Sequence, residues 1–161
     1  MRDMFNEYTV VLGAVGGRRR TGRNEVIVRQ LAQEGITVVN IGPTENADVF
    51  IDAALATGSQ AILVSCRDAR ADAFCAAFRQ RCIQRGLVDI TLYIGGDLVT
   101  FERRFSEAER QLAQVGFNRV FPSNVDLTEV AALLKQDITA KRAPAIAARP
   151  RSTWVFTDFA N

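Results

Sequence analysis

There is no histidine among the 161 residues. This removes the commonest acid–base group at neutral pH and the commonest nitrogen ligand for a metal, so Ser-His-Asp, Cys-His and histidine–metal mechanisms are excluded within this chain. Cysteine is scarce: Cys66, Cys75 and Cys82 are odd in number and form no C-x-x-C pair. Neither a disulfide framework nor a zinc site is therefore expected. Cys75 and Cys82 share one face of a predicted helix and read as small buried hydrophobes. Long apolar runs are missing too. Tyr8 to Val15 and Ala61 to Val64 are strand-sized, well short of the roughly 20 residues a membrane span needs. The opening Met1-Arg2-Asp3-Met4 does not begin a signal peptide, so a cytoplasmic protein without membrane contact is expected. A net charge of +2, with no aromatics interleaved among the basic residues, gives no sign of nucleic-acid binding.

What is present suits one domain with a substantial core: 48% hydrophobic residues against 24% charged. Short apolar runs alternate with amphipathic stretches, the pattern of parallel strands joined by crossover helices. Strands are predicted at Tyr8 to Val15, Thr37 to Ile41 (stopped by Gly42-Pro43), Ala61 to Ser65, Ile90 to Ile94 and Arg119 to Phe121. Helices are predicted at about Asn24 to Glu34, Asp48 to Thr57, Ala71 to Arg85, Phe101 to Val115, and from an Asp126 cap to about Lys141. The expected fold is α/β, a flavodoxin-like, doubly wound five-stranded parallel sheet in the order 2-1-3-4-5. The domain is placed over residues 1–141. Residues 142–161, with two prolines and the aromatics Trp154, Phe156 and Phe159, read either as a loose tail or as a partner-docking segment.

In such sheets ligands bind beyond the carboxyl ends of the strands. Gly16-Gly17 and Gly95-Gly96 follow two strands there, and without side chains they serve as turns or let a ligand approach the backbone. Ser65 offers a hydroxyl at the end of the third strand. Gly13-Ala14-Val15-Gly16-Gly17 lacks the G-x-G-x-x-G spacing, and no G-x-x-x-x-G-K-[ST] occurs, so nucleotide-binding signals are weak. Eighteen of the 20 basic residues are arginine, and Arg18, Arg19, Arg20 and Arg23 crowd the first loop with Arg67 in the third. Ahead of a helix N-terminus this cluster reads as a set of solvated cations or as a site for an anion: phosphate, carboxylate or an acidic partner surface. Cys66 lies between Ser65 and Arg67, where a neighbouring cation would lower its thiol pKa. Asp68, Asp72 and Asp97 read as caps or ion-pair partners rather than acid–base groups.

Three blocks of sequence carry a resemblance. VVLGAVGGRRRTGRNEVIVRQLAQEGITVVNIG, AILVSCRDARADAFCAAFRQRCIQRGLVDITLYIGGDLV and GFNRVFPSNVDLTEVAALLKQDI resemble the start, middle and end of the cobalamin-binding small subunit of glutamate (methylaspartate) mutase, over roughly Tyr8 to Ile138. The resemblance implies a B12-binding domain, a carbon-skeleton isomerase, adenosylcobalamin as cofactor and a separate large barrel subunit as partner. It also implies a first-loop motif D-x-H-x-x-G, whose histidine replaces dimethylbenzimidazole on cobalt while the aspartate orients that histidine. Here those positions hold Arg18, Arg20 and Arg23, and the cobalt-ligand motif is lost. A guanidinium stays charged and has no lone pair for a metal. In the S-x-L motif that contacts the cofactor's nucleotide tail, Ser65 stands but the leucine is Arg67. Gly95-Gly96 occupies the tail-pocket glycines and Phe121-Pro122 the last loop of its rim. The cofactor-binding set implied is therefore Gly16, Gly17, Arg18, Arg20, Thr21, Arg23, Ser65, Arg67, Gly95, Gly96, Phe121 and Pro122, with no catalytic and no metal-ligating residue. Two roles fit: a mutase subunit binding cobalamin without a histidine, or a degenerate domain serving a mutase-like partner as scaffold or anion-binding module.

Overall fold

The computed structural model describes residues 7–16, 22–68, 72–100 and 103–152, with side chains to 142. Strands and helices alternate: β1 (Tyr8–Val15), α1 (Arg23–Gln33), β2 (Ile36–Pro43), α2 (Ala47–Thr57), β3 (Ala61–Cys66), α3 (Asp72–Gln84), β4 (Thr91–Gly96), α4 (Phe105–Gln114), β5 (Arg119–Pro122) and α5 (Leu127–Ser152). The strands form one sheet in the order β2-β1-β3-β4-β5, every neighbouring pair parallel, as expected.

Side chains alternate across the sheet with period two, so each strand feeds two cores. On one face Val11, Ile62, Val64, Leu92 and Ile94 pack with Phe50 of α2, Phe78 of α3 and Leu112 of α4. There the ring centroids of Phe50 and Phe78 are 5.4 Å apart and those of Phe74 and Phe78 are 4.9 Å apart. Gly13 is tied to this face rather than to a phosphate: a Cβ on it would stand 2.6 Å from the Phe50 ring. On the other face Val10, Leu12, Leu63 and Tyr93 meet Leu31 of α1 and Val130, Leu134 and Ile138 of α5. The spacing of these α5 residues is that of an amphipathic helix stripe.

Three boundaries differ from expectation. β2 runs on through Gly42-Pro43, with a register shift opposite Leu12/Gly13. It is an edge strand, where a missing proline N–H costs no ladder bond. α4 begins at Phe105 because Thr100 and Arg103 first pair as a short turn, with the Arg103 guanidinium holding the Leu98 carbonyl. Glu107 Oε1 then accepts from the Arg104 N–H at 3.0 Å to start the helix. α5 continues to Ser152 rather than stopping near Lys141. The alanines of the KRAPAIAAR stretch are the strongest helix formers, and they outweigh the proline. Trp154, Phe156 and Phe159 lie outside the described residues. Among the described residues, no helix is long and apolar enough to cross a membrane.

Candidate functional site

The face packed against α1 and α5 loses bulk towards the carboxyl ends of the strands. One register level pairs Leu12 with Leu63 and Leu63 with Tyr93, filling the space beneath the helices. Two residues further on, Ala14 pairs with Ser65, Ser65 with Gly95 and Gly95 with Phe121. A row of small residues above a row of large ones leaves a void. The structure has there a cavity of about 240 Å³, walled by these strand ends, by Val26 and Ile27 of α1, by Val125 before α5 and by Leu127 and Val130 in it. Ser65 is 4% exposed and lines the cavity.

Of the expected site residues, Arg23, Ser65, Gly95, Gly96, Phe121 and Pro122 come together in this wall. Gly17, Arg18, Arg20 and Thr21, with Arg19, lie outside the described residues. Gly16 is not in the wall: its backbone turns with φ 77° against Asp68, and a Cβ there would stand 2.9 Å from the Asp68 Cβ. Nor is Arg67, which lies past the last residue of β3 on a loop pinned by its N–H to the Val15 carbonyl at 2.9 Å. Its Nε is sealed from solvent without a hydrogen-bond partner. The glycine pair divides its work. Gly95 keeps a wall position bare, with room at 3.3 Å from the Phe121 Cβ. Gly96, at φ 117°, is required by the fold itself, since a Cβ would stand 2.2 Å from the Cys66 carbonyl oxygen.

Arg23 is the first residue of α1, entered through Gly22 at φ 74°. Its guanidinium reaches across the cavity mouth: Nη2 donates to the Ser123 carbonyl at 2.9 Å, and Nη1 lies 4.0 Å from Asp97 Oδ1. Asn24, 4% exposed, anchors the same helix start to β2 by donating to Asn40 Oδ1 at 3.2 Å, which also accepts the Gly42 N–H at 3.0 Å. The helical wall and these two asparagines escaped sequence reasoning, because the rotation of α1 and α5 over the sheet is a tertiary property.

Beneath the cavity, Asp137 of α5 accepts from Arg119 Nε at 2.7 Å and Nη2 at 3.0 Å and from the Tyr93 hydroxyl. The Arg119 hydrogen bonds hold its carboxyl below the usual carboxylate range, against burial, which acts in the opposite direction. Burial, reinforced by Asp137, raises the Tyr93 phenol. Cys66 corrects an expectation: burial raises its thiol pKa, and its sulfur donates to the Asp68 carbonyl at 3.0 Å. Burial also pushes Cys75 up to about 12 and Cys82 to about 11. These thiols are packing groups, and all three are free. Asp72 pairs with Arg103 at 3.1 Å. Among the described residues, no group of three or more His, Cys, Asp or Glu is placed to hold a metal.

No protein-family model matches the chain. Among solved structures, a cobalamin-binding protein from Desulfitobacterium hafniense DCB-2 superposes with a TM-score of 0.63 at 16% identity, over 81% of this chain and 59% of that one. The receiver domain of the response regulator NarL from Mycobacterium tuberculosis gives 0.58 at 14% identity, over 83% and 97%. At such identities these establish the shared fold. Sequence relatives go further. The glutamate mutase sigma subunit of Yersinia enterocolitica is 39% identical over 130 residues, covering 81% of this chain and 88% of that one. That of Escherichia coli O157:H7 is 38% identical over 133 residues, 83% and 89%; sigma subunit 2 of Haloarcula marismortui is 36% identical over 130, 81% and 87%. With this likeness covering more than four fifths of both partners in each comparison, the chain belongs to the glutamate mutase sigma subunit family.

Proposed function

We propose that the chain is the cofactor-carrying subunit of a glutamate mutase-like carbon-skeleton isomerase, that it holds cobalamin by its nucleotide tail, and that a separate large subunit holds the substrate. The observation that carries this reading is the cavity: an apolar slot with the buried Ser65 and a bare backbone wall at Gly95. A flat heteroaromatic base fills such a slot, and its polar edge meets the Ser65 hydroxyl. Leu12, Leu63 and Tyr93 form the floor, while Val26, Ile27 and Val130 line the sides. Adenosylcobalamin, when bound, supplies the carbon radical. This chain supplies position, since it contains no histidine and arginine does not ligate cobalt. Any protein ligand to the cobalt would have to come from the partner subunit rather than from the arginines of the first loop, which offer no lone pair. Three free thiols accord with a reducing, cytoplasmic compartment.

Purified chain titrated with adenosylcobalamin should bind it with a base-off absorption spectrum. A base-on spectrum would mean that the tail stays on the metal and the cavity is not its seat. The replacement of all three motif positions by Arg18, Arg20 and Arg23 favours a second reading, a scaffold subunit that has given up the cofactor. Absence of binding at saturating cofactor would select it.

A further inference from the structure

We propose that Lys141 is a site of covalent modification: its ε-amine takes the acyl group of a short-chain acyl thioester, and the cleft beside it receives the acyl chain. The site lies at the amino ends of the strands, away from the crevice, and does not depend on the cofactor role.

The cleft, of about 380 Å³, lies between the segments that lead into β3 and β4 and the far part of α5, with Leu87, Val88, Ile138 and Lys141 in its wall. Two of its polar side chains are already engaged. Gln60 Oε1 accepts the Thr9 N–H at 2.9 Å while its Nε2 donates to the Glu7 carbonyl at 3.2 Å, and the Ser59 hydroxyl bonds to that of Thr57 at 2.6 Å. Much of the wall left for a guest is hydrocarbon. Ile138 is buried at its base, and Val88 is 63% exposed, so an aliphatic chain laid in the hollow takes apolar surface of both partners out of water.

Lys141 stands in this wall with its side chain open to solvent. Its ammonium donates to the Asp89 carbonyl, a neutral acceptor that does not hold the proton as a carboxylate would. Burial lowers its pKa from the ordinary lysine value, with Arg79 acting the same way and Asp89 and Asp137 opposing. More of it is therefore free amine at neutral pH than of an ordinary lysine. The lone pair of that amine attacks the thioester carbonyl, the C–S bond breaks, and the thiol leaves with a proton from the amine. An amide remains, which carries no charge and keeps an N–H for the Asp89 carbonyl.

The chain holds its own control. It has two lysines, and the other, Lys135, is on the same helix but lines neither this cleft nor the crevice cavity. The test is to incubate the full chain with the coenzyme A thioesters of acetate and of butyrate and to follow acylation of each lysine by peptide mass spectrometry. Lys141 should react faster than Lys135. Butyryl should be favoured over acetyl at Lys141 by at least about fourfold more than at Lys135, the worth of one methylene taken out of water. Val88→Ser should shrink that chain-length preference, with the rate at Lys135 and the urea midpoint unchanged as signs that the fold is intact. Equal or faster reaction at Lys135, the same chain-length dependence at both lysines, or a preference undiminished in Val88→Ser overturns the inference.

Discussion

Gly95 and Gly96 are adjacent, yet they answer to different constraints. A Cβ on Gly96 meets the Cys66 carbonyl at 2.2 Å from a left-handed backbone, whereas on Gly95 it meets the Phe121 Cβ at 3.3 Å, a contact that a small shift relieves. Gly96→Ala should therefore lower stability by about 2–4 kcal/mol, visible as a lower urea midpoint. Gly95→Ala should leave that midpoint nearly unchanged and instead weaken ligand binding, because the added methyl takes up room on the cavity face. Equal loss of stability in both variants would contradict the division. Sequence alone marked the pair as one feature. Separating the two roles needs the distance to a carbonyl on a neighbouring strand, which no local pattern encodes.

At the scale of elements, α5 is held over the sheet by the Asp137 carboxylate between Arg119 and Tyr93. Asp137→Asn should cost roughly 1–3 kcal/mol at neutral pH, since a charged acceptor is lost and Arg119 is left poorly matched. The carboxyl is depressed in the folded chain. Its contribution is therefore complete above the unfolded carboxylate pKa of about 4 and is lost as the pH falls through the lower folded value. Urea melts of the two proteins should differ most near pH 7 and converge in strong acid; a gap that persists there would assign the effect to packing. The strands were legible as short apolar runs and the helices as the amphipathic stretches between them. The continuation of β2 through Pro43 and of α5 to Ser152 was not. The first depends on β2 lying at the sheet edge, and the second on how far alanine propensity carries a helix.

For the whole molecule, the order of strands decides where a ligand can lie, and the decline from Leu12, Leu63 and Tyr93 to Ala14, Ser65 and Gly95 decides how much room it finds. Ser65 and the glycine pair could be picked out from the sequence. The half of the cavity contributed by Val26, Ile27, Leu127 and Val130 could not, because it depends on the docking of two helices. A ligand that enters this space binds only the folded chain, so it must raise the melting temperature. Adenosylcobalamin at about a hundred times its dissociation constant should add about 2.7 kcal/mol, or roughly 5–10 °C for a chain of this size. An unchanged melting curve at saturating cofactor would support the scaffold role.

The contact of Gly96 with the Cys66 carbonyl bears on how the crevice accommodates a guest. β3 and β4 end backbone against backbone there, with no side chain between them to change rotamer, and Asp97 N–H closes the seam on the same carbonyl at 2.8 Å. The sheet side of the crevice is therefore a fixed jaw. The opposite side is built of side chains, at the start of α1 and along α5, and any adjustment to guests of different size would be made there.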